Sequence, residues 1–195
     1  MKPNRIEFLT PAELLAVLRQ ARKESTRNWA MFLMAYSHGL RASEVCGLKL
    51  QHVDLKGGFV DVHRLKDSLR TIEPLQPHRG EPLLDEMKAV RAYLAERPAD
   101  AGDALFVSQK GGAMSATQFY RIFRDVAAAC GLPTAKRHPH VLKHSLATHL
   151  VQADVNLAKV QRYLGHAAIT STVRYTTISD QEASRDAHAA LMNIF

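Results

Sequence analysis

Apolar residues recur at helical spacing along most of the chain and at strand spacing in one short stretch. Leu14, Leu15, Val17 and Leu18 follow Thr10-Pro11-Ala12-Glu13, where a capping hydroxyl, a proline and a glutamate three residues past the hydroxyl mark a helix start. Trp29 to Tyr36 is apolar almost all round and predicts a buried helix ending at Gly39; Ala42 to Leu48 resumes the helical period beyond a turn at Ser37-His38-Gly39-Leu40. Gly57-Gly58 breaks the chain. Phe59-Val60-Asp61-Val62-His63 then alternates with period two and is followed by Arg70 to Leu75, predicting a β-hairpin that turns near Lys66 to Ser68. Further helices are expected from Pro82 to about Arg97, Ser115 to about Cys130, Pro139 to about Val151 and Asn156 to about Tyr163, and on both sides of Tyr175. Ala104 to Val107 reads as a third strand beside the hairpin.

The expected fold is therefore mainly α with a small antiparallel β-sheet, an α+β arrangement. Small and polar residues cluster at Pro98 to Asp103, which reads as a loop rather than a linker, so a single domain over residues 1–195 is expected. With 46% hydrophobic and 23% charged residues, the 195-residue chain suits a packed globular core and excludes disordered and collagen-like classes. No apolar run approaches the roughly 20 residues of a membrane-spanning helix. Met1 to Arg5 leads into no signal-like segment, so a cytoplasmic protein without a membrane partner is expected. Cys46 and Cys130 make no disulfide framework and lack zinc-ligand spacing; they read as small hydrophobes in a reducing compartment.

Charge narrows the function. Lys and Arg number 26 against 19 Asp and Glu, a net charge of +7 with histidine neutral. Between Thr134 and Thr176 the cations are Lys136, Arg137, Lys143, Lys159, Arg162 and Arg174, the one acid is Asp154, and five of the ten histidines lie there too. Such a segment attracts polyanions, although a basic solvated surface alone would look the same.

Three separated stretches carry the candidate chemistry: His38-Gly39-Leu40-Arg41-Ala42-Ser43-Glu44, then His138-Pro139-His140-Val141-Leu142-Lys143-His144, then Leu164-Gly165-His166 followed by Tyr175. His140 and Lys143 share one helical face near its N-terminus, where backbone N–H groups and the helix dipole favour an anion, so the pair reads as a phosphate seat. Arg41 starts a helix and Glu44 lies one turn on, so the carboxylate can hold the guanidinium or a neighbouring histidine in position, and the arginine fork suits bidentate contact with a phosphoryl group. The bland readings are a surface Arg41–Glu44 pair, a solvated turn lysine at Lys66 and a core aromatic at Tyr175. Polar Thr172, Arg174, Thr176 and Thr177 around Tyr175 suit an exposed reactive hydroxyl instead. His140 and His144 are spaced like zinc ligands, yet no glutamate follows His140 and no third ligand stands nearby, so no metal is expected.

Gly39-Leu40-Arg41-x-x-Glu44, Arg64-Leu65-Lys66, His138-Pro139-His140-x-Leu142-Lys143-His144, Tyr163-Leu164-Gly165-His166 and Val173-Arg174-Tyr175-Thr176 together resemble the tyrosine recombinases, or phage integrase family, most closely the short fimbrial phase-switch invertases within it. The resemblance implies the catalytic-domain fold of that family and site-specific DNA recombination through a 3′-phosphotyrosyl intermediate. It implies Tyr175 as nucleophile, Arg41 and His140 on the scissile phosphate, a further hydrogen bond from His166, and Lys66 as the acid protonating the departing 5′ oxygen. Glu44 would organise the pocket, and His144 falls on the family's structural histidine. Double-stranded DNA is the implied partner, contacted by Lys136, Arg137, Lys159, Arg162 and Arg174, with a tetramer assembling on two sites. Tyrosine attacks poorly near its ordinary pKa of ~10 unless its proton is removed and the phosphate charge neutralised, which clustered Arg, Lys and His side chains supply. The covalent link conserves the backbone bond energy, so no ATP, metal or other cofactor is expected, in keeping with the lack of a Walker-type loop or acidic metal triad.

Two departures stand out. The family has an arginine where this chain has Lys143, which keeps the charge but loses the two-pronged contact; one lost charge-assisted bond of this kind slows such reactions by a factor of roughly 100. Most family members also carry a helical DNA-clamping domain ahead of the catalytic one, whereas about ten residues precede the first helix here, so a single-domain protein or a catalytic fragment is expected. The apolar tail Ala189 to Phe195 either packs on its own domain or docks, as a helix from about 179 to 195, into a neighbouring protomer. A catalytically weak DNA-binding relative and a type IB topoisomerase are the rival functions.

Overall fold

A computed structural model describes residues 6–64, 70–166, 168–173, 175–176 and 192. The Lys66 to Ser68 turn, Arg174 and the expected C-terminal helix lie outside the described residues.

The first helix, α1 (Pro11–Glu24), starts where the sequence requires. Thr10 N–H donates to Glu13 Oε2 at 2.7 Å while Glu13 N–H donates to Thr10 Oγ1 at 3.2 Å, closing a reciprocal cap. Its Leu14, Val17, Leu18 and Ala21 are buried against α2 (Thr26–Ser37), the central helix, in which every residue from Asn28 to Ala35 is buried. Trp29 Nε1 donates to the Leu83 carbonyl at 2.8 Å, and Phe32 packs edge-on against Phe119 and Phe123 of α5 (Ala116–Ala129) at 5.7 and 5.2 Å between ring centroids. Ser115 and Gln118 cap α5 reciprocally, as Thr10 and Glu13 cap α1.

Gly39 ends α2 with φ +56°, and a Cβ there would stand 2.6 Å from Leu164 Cδ2. Only glycine meets both conditions. The turn releases Arg41 at the start of α3 (Ala42–Cys46). A three-stranded antiparallel sheet follows in the order β1 (Val53–Asp54), β2 (Phe59–Val62), β3 (Thr71–Pro74), with Val53 opposite Val60 and Val60 opposite Glu73.

The expected hairpin is thus present, but its third strand is β1 and not Ala104 to Val107. The Asp54 carboxylate accepts from Lys56 and Gly57 N–H at 2.9 and 2.8 Å and folds the chain back tightly, so the sequence-adjacent segment takes the sheet edge. Ala104 to Val107 makes single bridges, Lys49 to Ala104 and Val107 to Ala113, and buries Leu105, Phe106 and Val107 in the core.

The helix expected from Pro82 divides into a 3₁₀ turn at Pro82–Leu84 and α4 (Glu86–Glu96), because Asp85 leaves helical geometry to cap Lys88 N–H at 2.8 Å. The Pro98 to Asp103 stretch is a loop laced by Arg97, whose guanidinium donates to the carbonyls of Pro98, Ala101, Gly102, Ala104 and Leu105. Further helices among the described residues are α6 (His140–Gln152), α7 (Leu157–Tyr163), capped by Asn156, and α8 (Thr170–Val173). Leu146, Ala147, Val160 and Leu164 form a second small cluster on which Tyr36, Tyr163 and Tyr175 pack. Cys46 and Cys130 are free and half-buried, and burial pushes the Cys46 thiol up to about 12. Among the described residues no helix is long and apolar enough to cross a membrane.

Candidate active site

The site stands on a buried charge assembly. His38, in the turn after α2, is fully buried with Nδ1 2.6 Å from Glu73 Oε2 of β3 and Nε2 2.9 Å from Glu86 Oε1 at the start of α4. An imidazole facing a carboxylate at each nitrogen is satisfied only when both nitrogens carry protons. Burial alone would lower its pKa, but Glu86 and Glu73 overcome that and raise it to about 9. Arg64 adds a second cation: its Nη2 donates to Glu73 Oε1 at 2.9 Å, to the His38 carbonyl at 3.0 Å and to the Tyr163 carbonyl at 2.8 Å. The Tyr163 hydroxyl donates to the Ser37 carbonyl at 2.8 Å. Two cations and two carboxylates thereby lock the turn before Arg41 to the sheet, to α4 and to the end of α7. Gly165 completes the fit, because a Cβ there would run into the Arg64 side chain.

Arg41 emerges from this base. Glu44 accepts Arg41 N–H at Oε2 and Arg41 Nη1 at Oε1, each at 2.7 Å. The Glu44 side chain is 1% exposed and that of Arg41 32%, so the carboxylate braces the guanidinium from within while the guanidinium reaches the surface.

Helix α6 brings the second group. Leu9 N–H donates to Ser145 Oγ at 2.7 Å, and His149 bridges the Leu9 carbonyl and the Tyr36 hydroxyl at 2.9 Å each, fixing the helix against the N-terminal segment and α2. His140 opens its first turn and is exposed; packing around the ring, then the charges of His138, Arg41 and Lys143, hold its pKa below the usual value. Lys143 is buried, its Nζ donating to the Leu164 carbonyl at 3.1 Å. Burial above all, with Arg64 and Arg41 adding to it against Glu44 and Glu73, lowers its pKa to about 7.

His166 is buried with Nδ1 2.9 Å from Thr172 Oγ1, and Gln161 Nε2 donates to its carbonyl at 3.1 Å. Tyr175 is half-buried rather than exposed as its polar neighbours in sequence suggest. Its ring packs on the second cluster, and its hydroxyl lies 2.8 Å from Nδ1 of His144.

Arg41, Glu44, His140 and Lys143 are thus brought together, with Tyr175 joined to the same helix through His144. Lys159 and Arg162 are exposed on α7. Lys136 is half-buried and ion-paired with Glu13 at 2.8 Å, and Arg137 Nε donates to the Leu132 carbonyl at 2.6 Å. Lys66 and Arg174 lie outside the described residues. Sequence reasoning missed His38, Arg64, Glu73 and Glu86 as the supporting assembly, and the His144–Tyr175 contact. A signal existed for two of them: Arg64 shares the inward parity of Val60 and Val62, and Glu73 faces the same side, so a cation and an acid both fall on the core face of the hairpin.

The phage integrase family profile matches residues 7–182. The type 1 fimbriae regulatory protein FimE of Escherichia coli (strain K12) is 37% identical over 175 residues, covering 87% of this chain and 84% of that protein. The crystal structure of XerA recombinase aligns with TM-score 0.77 at 27% identity, covering 96% of this chain and 66% of that one. The integrase of transposon Tn1549 in complex with transposon right-end DNA has the same fold, with TM-score 0.79 at 20% identity over 98% of this chain and 69% of that one. The chain spans about two thirds of these solved structures. Fold and clustered side chains together define a tyrosine recombinase catalytic domain. The chain belongs to the phage integrase family.

The buried assembly makes stability depend on pH at both ends. His38 binds its proton more tightly when folded, so its contribution is complete below about pH 6.5 and is lost as pH rises through about 9. Burial would raise the Glu73 pKa, but His38, Thr71 and Arg64 hold it below 4.5, so its contribution is present above about pH 4.5 and is lost as pH falls further. His38→Gln leaves Glu86 buried without its cation and Glu73 with Arg64 alone, and should cost roughly 3–5 kcal/mol. In pH-dependent thermal melts, the variant should also lose the alkaline decline of the wild type. Parallel alkaline slopes would contradict the imidazolium assignment.

Proposed function

We propose that the chain is a site-specific DNA recombinase of the integrase and invertase type, in which Tyr175 cuts a strand, holds it as a 3′-phosphotyrosyl link and passes it to another end. One observation carries the reading: Arg41, His140 and Lys143 converge at the start of α6, and Tyr175 reaches the next turn of that helix through His144. Arg41, braced by Glu44, and His140 hold the scissile phosphate, with Lys143 and His166 adding charge and a hydrogen bond. The Tyr175 oxygen bonds to phosphorus, the bond from phosphorus to the 5′ oxygen breaks, and Lys66 protonates that oxygen. Religation reverses these steps with a 5′-hydroxyl from either duplex, and of the outcomes that this chemistry allows we favour inversion.

Double-stranded DNA is the partner. The exposed Lys159 and Arg162 suit its backbone, with Lys136, Arg137 and Arg174 as further contacts. A tetramer on two sites, joined by the segment after Tyr175, carries out exchange, and such an enzyme works in the cytoplasm. A second reading, a DNA-binding relative that cuts poorly, draws support from Lys143, whose amine donates inward to the Leu164 carbonyl and gives up its proton near neutral pH.

Incubation with DNA from the protein's own locus in the presence of chelator, followed by detergent quenching, should trap a covalent adduct with the wild type and none with Tyr175→Phe. Binding without any adduct would favour the weak relative. The lysine makes a second prediction. Lys143 sheds its charge through about pH 7, so the adduct rate of Lys143→Arg relative to wild type should rise several-fold from pH 6 to pH 8.5. A ratio independent of pH would show that Lys143 stays charged on DNA or plays no part.

A further inference from the structure

We propose that His144 is the general base of the reaction, taking the phenolic proton of Tyr175 on Nδ1 as the oxygen attacks. The inference rests on Tyr175 being the nucleophile, as set out above, and gives work to a histidine that the family resemblance leaves as structural.

Geometry makes the argument. Nδ1 of His144 and the Tyr175 hydroxyl are 2.8 Å apart, the distance of a proton-transfer pair, and the ring centroids are 5.8 Å apart. The other histidines near the site are differently engaged. His140, four residues earlier on α6 with its ring centroid 6.3 Å from that of His144, faces the cations Arg41 and Lys143, the side where a phosphate would sit. His166 directs Nδ1 to Thr172. The three rings run His140, His144, Tyr175 along one side of α6, so a base on the middle ring touches the nucleophile while its neighbour touches the phosphate.

Chemistry requires such a group. At neutral pH only about one phenol in a thousand is ionised at the ordinary tyrosine pKa of ~10, and a neutral phenol is a weak nucleophile toward an anionic diester. Phosphate cations stabilise the attacked group but do not remove the proton from the attacker. The proton passes from the Tyr175 oxygen to His144 Nδ1 as the bond from oxygen to phosphorus forms. The 5′ oxygen leaves with a proton from Lys66. In religation the His144 imidazolium returns its proton to the Tyr175 oxygen as the phosphotyrosine breaks. Tyr175 packs on the apolar cluster formed by Leu146, Ala147, Val160 and Leu164, which shields the pair and favours a direct transfer.

The test is single-turnover adduct formation on a nicked substrate from the protein's own locus, in the full chain. His144→Asn places an amide near the position of Nδ1 and keeps a hydrogen bond to the phenol, but cannot accept its proton. Adduct formation should slow on the order of 10²-fold while DNA binding and melting temperature stay near wild type. A more acidic fluorotyrosine at position 175 should then recover most of that loss, and should change the rate far less when His144 is intact. A structural role would not respond to phenol acidity. An Asn variant within about twofold of wild type, or a deficit that fluorotyrosine leaves untouched, would overturn the inference. Should His144→Asn melt early, His144→Ala with added imidazole decides the matter, restored adduct supporting the base and no restoration contradicting it. A wild type that forms no adduct would bring down the recombinase reading, and this inference with it.

Discussion

A histidine enclosed between two buried carboxylates holds the rest of the site in place. His38 occupies the turn between α2 and α3, and its bonds to Glu73 and Glu86 tie that turn to the sheet and to α4. Each carboxylate would be a heavy burden inside the protein on its own. Arg64 supplies the second positive charge and extends the assembly to the end of α7 through the Tyr163 carbonyl. The turn that carries Arg41, the strand that carries Glu73 and the end of α7 all meet at this charge-balanced knot, so the position of Arg41 follows from interactions inside the protein.

Charge is then distributed in layers. Inside, His38 and Arg64 are neutralised by Glu73 and Glu86. Above them, Glu44 braces Arg41 without cancelling its reach to the surface, and Lys143 lies beneath with Arg64 near enough to depress its pKa. An arginine at position 143 would stay charged in that setting, whereas the lysine yields its proton close to neutrality. The lysine therefore changes more than hydrogen-bond geometry, because it makes one of the charges beside Arg41 and His140 depend on pH. Tyr175 completes the upper layer from the opposite direction, its ring on apolar packing and its hydroxyl on His144.

The parts legible in the sequence are those whose signals are local. Caps at Thr10, Ser115 and Asn156, the glycine at the end of α2 and the alternation of β2 each act within a few residues, and the corresponding elements form where expected. The spacing of Arg41 and Glu44 likewise fixes a contact one helical turn long. What failed depends on distant partners. Ala104 to Val107 has the composition of a strand, yet Leu105 N–H is taken by the Leu48 carbonyl and Leu50 N–H by the Asp103 carbonyl, so it never reaches the sheet. His38 looked like turn punctuation because its partners lie far along the chain, and only the inward parity of Arg64 and Glu73 hinted at a buried charge. The resemblance puts His144 at the family's structural histidine, and helical spacing alone does not reveal which residue beyond the helix returns to meet it.

The most direct test of this account is the protonation state of His38 in the free protein, read from the ring nitrogens by nitrogen-edited NMR across a pH titration. Near neutral pH both nitrogens should carry slowly exchanging protons, and the ring should titrate only at about 9. A His38 ring that holds one proton at neutral pH and titrates near 6.5, the ordinary value, would contradict it, because Glu86 would then lack a cation and Glu73 would keep Arg64 alone.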